Sequence, residues 1–145
     1  MSEKIIESKA PRELAIEAKY HEFYNDLKKG KYLPELKSYE MAYLFVLAMS
    51  YGVYYDNRKK IHTPKRSISK NFVENEWAWL VRAVAIAASE RGVEILPDEA
   101  EVYKIAEEYA NGGIEIIKEI LSKSKPLEFE ITMEKELSKI YGSKV

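Results

Sequence analysis

The stretch from Ile105 to Ile117 reads Ile-Ala-Glu-Glu-Tyr-Ala-Asn-Gly-Gly-Ile-Glu-Ile-Ile, and it decides how the second half of the chain is expected to fold. Apolar residues on both sides of its centre recur at three- and four-residue spacing, which is typical of helices that bury one face. Between them, Gly112 is suited to the left-handed conformation that ends many helices. The pattern predicts two helices that meet at a tight break. It assigns a structural role to four residues: Tyr109, Asn111, Gly112 and Gly113.

The same glycine pair could instead hold a phosphate against the start of the following helix. Four glutamates lie within this stretch or just beyond it: Glu107, Glu108, Glu115 and Glu119. Their negative charge would repel an anion, so the helix break is the better interpretation.

Two helices are predicted in the first third of the chain. The first begins near Pro11, carries apolar residues at helical spacing, and ends at Gly30. The second, from Tyr39 to Tyr51, is capped by Ser38 and ends at Gly52. Because this second helix is apolar nearly all round, it should be the central one. Its core residues should be buried: Leu44, Leu47 and Ala48.

The remaining helices follow a polar interval. The segment from Val53 to Lys70 lacks helical periodicity and contains Pro64, which predicts a long loop or a short hairpin. Asn71 and Glu74 match a capping box in Asx form that opens a helix to about Glu90, with a stop at Gly92. Pro97 suits the first turn of a fourth helix, and the residues after the break form a fifth.

The tail of the chain shows a different period. Apolar and polar residues alternate from Leu127 to Met133, which is typical of a strand, and a short helix is predicted around Leu137 to Tyr141. The candidate partners for such a strand are Ile5-Ile6 and Val53–Tyr55. The predicted fold is therefore mainly α: a compact bundle of about five helices, with room for a small two- or three-stranded β element.

Composition narrows the class of protein. The chain has 145 residues, 46% of them hydrophobic and 32% charged, which indicates one folded domain. Together with the predicted helices, this makes residues 1–145 a single helical domain. Cysteine is absent, which excludes disulfides and thiolate sites. Glutamine is also absent while Lys and Glu are abundant, a composition that indicates a thermophile. The longest strongly apolar run, Met41 to Met49, is about half of what a bilayer requires, and no secretory signal is visible. We expect a cytoplasmic protein without membrane contact.

Charge is distributed unevenly along the chain. From Lys28 to Lys70 there are ten Lys or Arg residues against three acids, whereas Asn71 to Leu121 has four against eleven. The densest part, which we call the basic segment, has no acid in thirteen residues and contains Arg58, Lys59, Lys60, Lys65, Arg66 and Lys70. Such cations neutralise phosphates, and neighbouring aromatic residues can stack on bases. A solvated loop that balances the acidic half is the alternative interpretation.

Catalytic chemistry is poorly represented. The two histidines, His21 and His62, belong to no metal-binding, nucleophilic or phosphate-binding motif. Asp98, Glu107 and Glu108 form the best carboxylate group for a divalent metal, as in a metal-dependent nuclease. However, adjacent residues on a helix point about 100° apart, so Glu107 and Glu108 are poorly placed to share one ion. We expect no catalytic residue, metal or cofactor.

The chain resembles the small proteins associated with DNA phosphorothioation (Dnd) systems, the class catalogued as phosphorothioation-associated protein four. The resemblance covers roughly Tyr39 to Leu121. It rests on Phe45-Val46-Leu47-Ala48, Ser50-Tyr51-Gly52, Arg58-Lys59-Lys60, Ile86-Ala87, Glu94-Ile95-Leu96 and, most specifically, the stretch around Glu-Tyr-Ala-Asn-Gly-Gly. Such systems place sulfur in the DNA backbone and accompany restriction of foreign DNA. The resemblance supplies this context and no catalytic residues.

The sequence and the resemblance together predict a non-enzymatic accessory protein of a DNA modification and defence system. We expect it to bind DNA, or a DNA-bound partner such as another phosphorothioation or restriction protein, through the basic segment. The alternative is a protein-interaction subunit or homodimer without nucleic-acid contact.

Overall fold

The computed structural model describes residues 6–37, 39–123 and 135. Three predictions fall outside these residues: the cap at Ser38, the strand from Leu127 to Met133 and the short helix around Leu137 to Tyr141.

Four helices and two strands make up the described part of the chain. In chain order they are β1 (Glu13–Glu17), α1 (His21–Lys28), α2 (Met41–Tyr54), β2 (Pro64–Ser69), α3 (Lys70–Ala88) and α4 (Glu99–Lys123). Short 3-10 turns lie at Ala18–Tyr20, Pro34–Leu36 and Gly92–Ile95. The predicted fold, mainly α with a small β element, is confirmed, with four helices where about five were expected.

Helices α2 and α4 form the centre of the molecule. Leu44 and Ala48 of α2 are fully buried, as predicted, while Leu47 is only partly buried. Helix α4 buries residues along nearly its whole length, from Val102 to Leu121. An apolar helix needs neighbours on every side, and α2 obtains them by packing between α1, α3 and α4.

A two-stranded antiparallel sheet lies beside this pair. Leu14 of β1 is opposite Ile68 of β2, and both are fully buried. The strand β1 occupies what was predicted as the first half of a helix, whereas β2 lies within the segment from Val53 to Lys70 that was predicted as a long loop or a short hairpin. Val53–Tyr54, a candidate strand partner, lies in α2. The register shifts between Leu14 and Ala15, so the ladder is irregular at that point.

The predicted break at Asn111-Gly112-Gly113 is wrong, because α4 runs through it without interruption. Neither Gly112 nor Gly113 has a positive φ. A Cβ on Gly113 would lie 1.6 Å from the Ala48 carbonyl oxygen, and one on Gly52 would lie 1.9 Å from the Tyr109 carbonyl oxygen. The glycines are therefore needed because α2 and α4 touch through their backbones.

Other helix boundaries also differ from expectation. Gly52 does not end α2, which continues to Tyr54. Ser69, not Asn71, caps α3, because its hydroxyl accepts a hydrogen bond from the Phe72 amide at 3.4 Å. Gly30 does follow α1 with a φ of 77°, as a left-handed helix stop requires.

Within the described residues, every helix is too short or too polar to cross a bilayer.

The contact between α2 and α4 predicts whether a methyl group at Gly113 raises or lowers the stability of the protein. Helix propensity alone would make Gly113→Ala stabilising by about 1 kcal/mol. Because the added methyl group would overlap the Ala48 carbonyl, we expect a destabilisation of about 1–3 kcal/mol. Urea unfolding of wild type and variant measures the difference. A more stable variant would show that the two backbones do not touch at this point.

Candidate nucleic-acid interface

The basic segment begins in the loop between α2 and β2, and α4 fixes the backbone of that loop. The Asn57 side chain donates a hydrogen bond to the Gly112 carbonyl at 2.9 Å. The side-chain amide of Asn111 (Nδ2) donates hydrogen bonds to the carbonyl oxygens of Lys59 at 3.3 Å and Lys60 at 3.1 Å. Asn111 is 8% exposed, so these bonds are shielded from water. The Asn-Gly-Gly motif thus holds the loop.

Arg58 is turned toward α4. Its Nε lies 2.8 Å from Oε1 of Glu108, whose side chain is 7% exposed. The guanidinium group also lies 5.7 Å from the centre of the Tyr109 ring. A buried carboxylate needs such a partner, so Arg58 neutralises Glu108 and is poorly available to a phosphate.

Lys59 pairs with a more distant turn of α4. Its Nζ lies 2.6 and 2.8 Å from the two carboxylate oxygens of Glu115, and its amide donates to the Glu108 carbonyl at 3.0 Å. The hydrogen bond to Glu115 raises the pKa of Lys59. The lysine is therefore a charged partner of α4 across a half-exposed contact.

Glu17, at the end of β1, fixes the other end of the loop. Its carboxylate accepts hydrogen bonds from the amides of His62 at 2.9 Å and Thr63 at 3.2 Å. The Ala18 amide donates to the Thr63 carbonyl at 2.8 Å. The loop is consequently held at both ends, by α4 and by β1.

Two further cations of the basic segment belong to β2 and the start of α3. Lys70 pairs with Glu99 at 3.0 Å. Arg66 donates to the Glu13 carbonyl at 3.1 Å and lies 3.9 Å from Glu107. Burial raises the pKa of Glu107. Two groups oppose this rise: the backbone amide of Ala15, which donates a hydrogen bond to the carboxylate at 2.6 Å, and the positive charge of Arg66.

The six predicted residues therefore have different environments. Arg58, Lys59 and Lys70 form close ion pairs with acids of α4, and Arg66 forms a looser one. Lys60 and Lys65 are exposed and have no ion pair within the described residues. Counting charges along the sequence located the basic segment but could not reveal these ion pairs, whose partners lie 29 to 56 positions away.

A shallow cavity of about 320 Å³ opens beside the loop. Lys19, Lys59, Lys60 and His62 line it together with acidic and neutral residues, Glu17, Tyr20, Asn111 and Glu115. The contribution of Glu17, Lys19 and Tyr20 was missed, because their spacing fitted a helix and gave no sign of a return toward the loop. The cavity wall has mixed charge.

Lysines Lys28, Lys29 and Lys37 line a separate pocket with Asn25. This pocket lies toward the carboxyl end of α1, whereas Tyr20, which precedes α1, borders the cavity beside the loop. An eight-residue helix is about 12 Å long, so the two groups of cations do not share one pocket.

The acidic residues considered for a metal have separate partners. Glu107 accepts from the Ala15 amide, Glu108 from Arg58, and Asp98 from Ser8 and Arg91. Among the residues that the structure describes, no group of three potential ligands is suitably placed for a metal ion.

A family model described as DNA sulphur modification system-associated protein 4 matches residues 20–138. The match extends over well more than half of the sequence, so the chain belongs to this family, as the resemblance predicted. Searches of curated proteins and of solved structures find no match.

The hydrogen bonds of Asn111 to the loop predict a local effect. In Asn111→Ala the carbonyl groups of Lys59 and Lys60 would no longer have this partly buried donor, which should cost about 1–3 kcal/mol of stability. Hydrogen exchange should become faster at the loop amides, including that of Lys59, more than elsewhere. Asn71→Ala, at an exposed position outside the loop, is the matched control. Unchanged exchange in the loop would contradict the anchoring role of Asn111.

Proposed function

We propose that this protein is a non-enzymatic accessory component of a DNA sulphur modification system that binds DNA, or a partner already on DNA, through the outer side of its basic segment. Membership of the family supports the association with such a system. The observation that carries the proposal is that Lys60, Lys65 and Arg66 are exposed on a backbone that α4 and β1 hold in place.

The division of the basic segment gives each cation a role. Arg58, Lys59 and Lys70 neutralise carboxylates of α4 and so attach the segment to the core. Lys60 and Lys65 are exposed, and the Arg66 side chain is 51% exposed with its nearest carboxylate 3.9 Å away. These three are the groups that a phosphate backbone can reach without breaking a close ion pair.

Fixing the backbone of the segment favours binding. A loop that is already ordered loses less conformational entropy when it meets a partner. Lysine and arginine that replace condensed counterions on DNA give affinity without reading the base sequence. We therefore expect binding that is strongly dependent on salt and weakly dependent on sequence.

The non-enzymatic part of the proposal is supported by the hydrogen bonds that the acidic residues accept within the fold. Glu107, Glu108 and Asp98 each accept hydrogen bonds from separate groups of the fold. These separate partners orient the three carboxylates individually and leave them less free to turn toward one common metal ion.

A protein-interaction subunit is the second candidate function. It is favoured by the exposure of two large aromatic residues on α3, Phe72 at 55% and Trp79 at 68%. Exposed aromatic side chains are enriched at protein interfaces.

Removing the three exposed cations tests the proposed DNA contact. The variant Lys60→Ala/Lys65→Ala/Arg66→Ala should bind a labelled duplex more weakly at every sequence. The log–log salt slope should fall by about 0.9 for each phosphate that the variant no longer neutralises. The control, Lys29→Ala/Lys104→Ala/Lys123→Ala, removes the same charge at other exposed positions and should bind like wild type.

The outcomes of this titration separate the two candidate functions. If wild type does not bind duplex DNA even at low salt, direct DNA contact is wrong and the protein-interaction function replaces it. If both triple variants lose affinity equally, net charge rather than the basic segment determines binding.

A further inference from the structure

Helix α3 carries an apolar stripe on its outer face. Phe72, Trp79 and Ile86 follow one another at seven-residue intervals; Phe72 and Trp79 are 55% and 68% exposed, and Ile86 is partly buried with its inner side against the core. In this 19-residue helix, few residues are fully buried: Val73, Val81 and Ala85. A helix that directs large aromatic residues outward presents a face suited to another apolar surface.

The stripe remains on one face although the helix is kinked at Trp77, where φ is −131°. Residues that flank the stripe on both sides of the kink are exposed at the same three- and four-residue spacing: Asn75, Glu76, Arg82 and Ala83. Because exposure keeps the same phase before and after Trp77, one continuous surface is available along α3.

The order of residues along this face is symmetric about Trp79. Glu76 and Arg82 lie three positions before and after it, and Phe72 and Ile86 lie seven positions before and after it. Asn75 and Ala83 are equally spaced as well. If two copies of α3 cross antiparallel at Trp79, each apolar residue of the stripe meets an apolar residue at the same height, and each Glu76 is level with an Arg82.

We propose that α3 of one chain pairs antiparallel with α3 of a second copy, around a two-fold axis that passes beside Trp79. A two-fold interface uses the same surface on both subunits, so that surface must be complementary to itself. The symmetric placement of opposite charges around an aromatic centre satisfies this condition. An unrelated partner would not require it.

Two features near the stripe fit this pairing. A shallow pocket beside Phe72, lined also by Tyr39, Tyr43 and Trp77, lies near the amino-terminal end of α3. In the antiparallel pair, Ile86 of the second copy reaches that end. Arg82 pairs within its own chain with Glu74 at 3.3 Å, but its side chain is 52% exposed, so it can turn toward Glu76 of the second copy at little cost.

The proposed pairing does not depend on DNA binding, and each can fail without the other. If the protein both pairs through α3 and binds DNA, the dimer carries two basic segments. Once one segment binds the DNA, the other is held close to it, which raises its effective concentration.

Charge reversal at Glu76 and Arg82 tests the pairing. Sedimentation equilibrium should show wild type as a dimer. Glu76→Arg alone places a second positive charge level with Arg82 at two points of the interface. Arg82→Glu alone places a second negative charge level with Glu76 at the same two points. Each substitution should raise the dimer dissociation constant by about tenfold or more.

An equimolar mixture of the two charge-reversal variants can form a heterodimer in which opposite charges meet again. In the heterodimer, the new arginine of one chain is level with the new glutamate of the other, and the native Arg82 is level with the native Glu76. Both points then carry opposite charges, so the mixture should form heterodimers with near wild-type affinity.

Recovery in the mixture also shows that both variants are folded, and thermal unfolding of each provides a second check. Trp79→Ala is the variant for the centre of the interface and should also weaken the dimer. A wild type that remains monomeric at all concentrations overturns the proposal. A dimer that is insensitive to all three substitutions, or a mixture that does not recover, overturns it as well.

Discussion

The tightest constraint on this structure is the contact between α2 and α4, where the backbone of each helix touches that of the other. A side chain at Gly113 would overlap the Ala48 carbonyl, and one at Gly52 would overlap the Tyr109 carbonyl. Glycine at both points lets the helix axes approach more closely than ordinary side chains allow. Most other contacts of the core and of the basic segment follow from this crossing.

The crossing also decides where the basic segment lies. Because α2 ends beside α4, the chain that follows must run along α4, where a Cβ on Gly112 would overlap the Asn57 carbonyl. The same turn of α4 supplies Asn111 to the loop carbonyls and Glu108 to Arg58. The Asn-Gly-Gly motif therefore joins two helices and orders the segment proposed to meet DNA. The same arrangement explains the uneven charge along the sequence, because most cations of the basic segment form ion pairs with carboxylates of the acidic helix α4.

Several features of the fold could be predicted from local patterns. The all-round apolar character of the segment from Tyr39 to Tyr51 predicted a central helix, and the run of cations from Arg58 to Lys70 marked the basic segment, although not its position beside α4. Other features depended on distant residues. Gly112 and Gly113 are as compatible with a helix stop as with a close helix contact, and only the position of α2 distinguishes the two. Ile16 and Tyr20 fit helical spacing, yet Ile16 joins a strand because Leu14 finds Ile68 across the sheet. The ion pair between Arg58 and Glu108 joins residues fifty positions apart, which no local pattern reveals.

Nuclear Overhauser effects between the α protons of Gly113 and the protons of Ala48 and Gly52 measure the central contact most directly. Clear effects between these residues are expected, together with an unbroken helical pattern of sequential effects from Ala110 to Ile116. Absence of the Gly113 effects with α2, or a helical pattern that stops at Asn111, would contradict a direct backbone contact between the two helices.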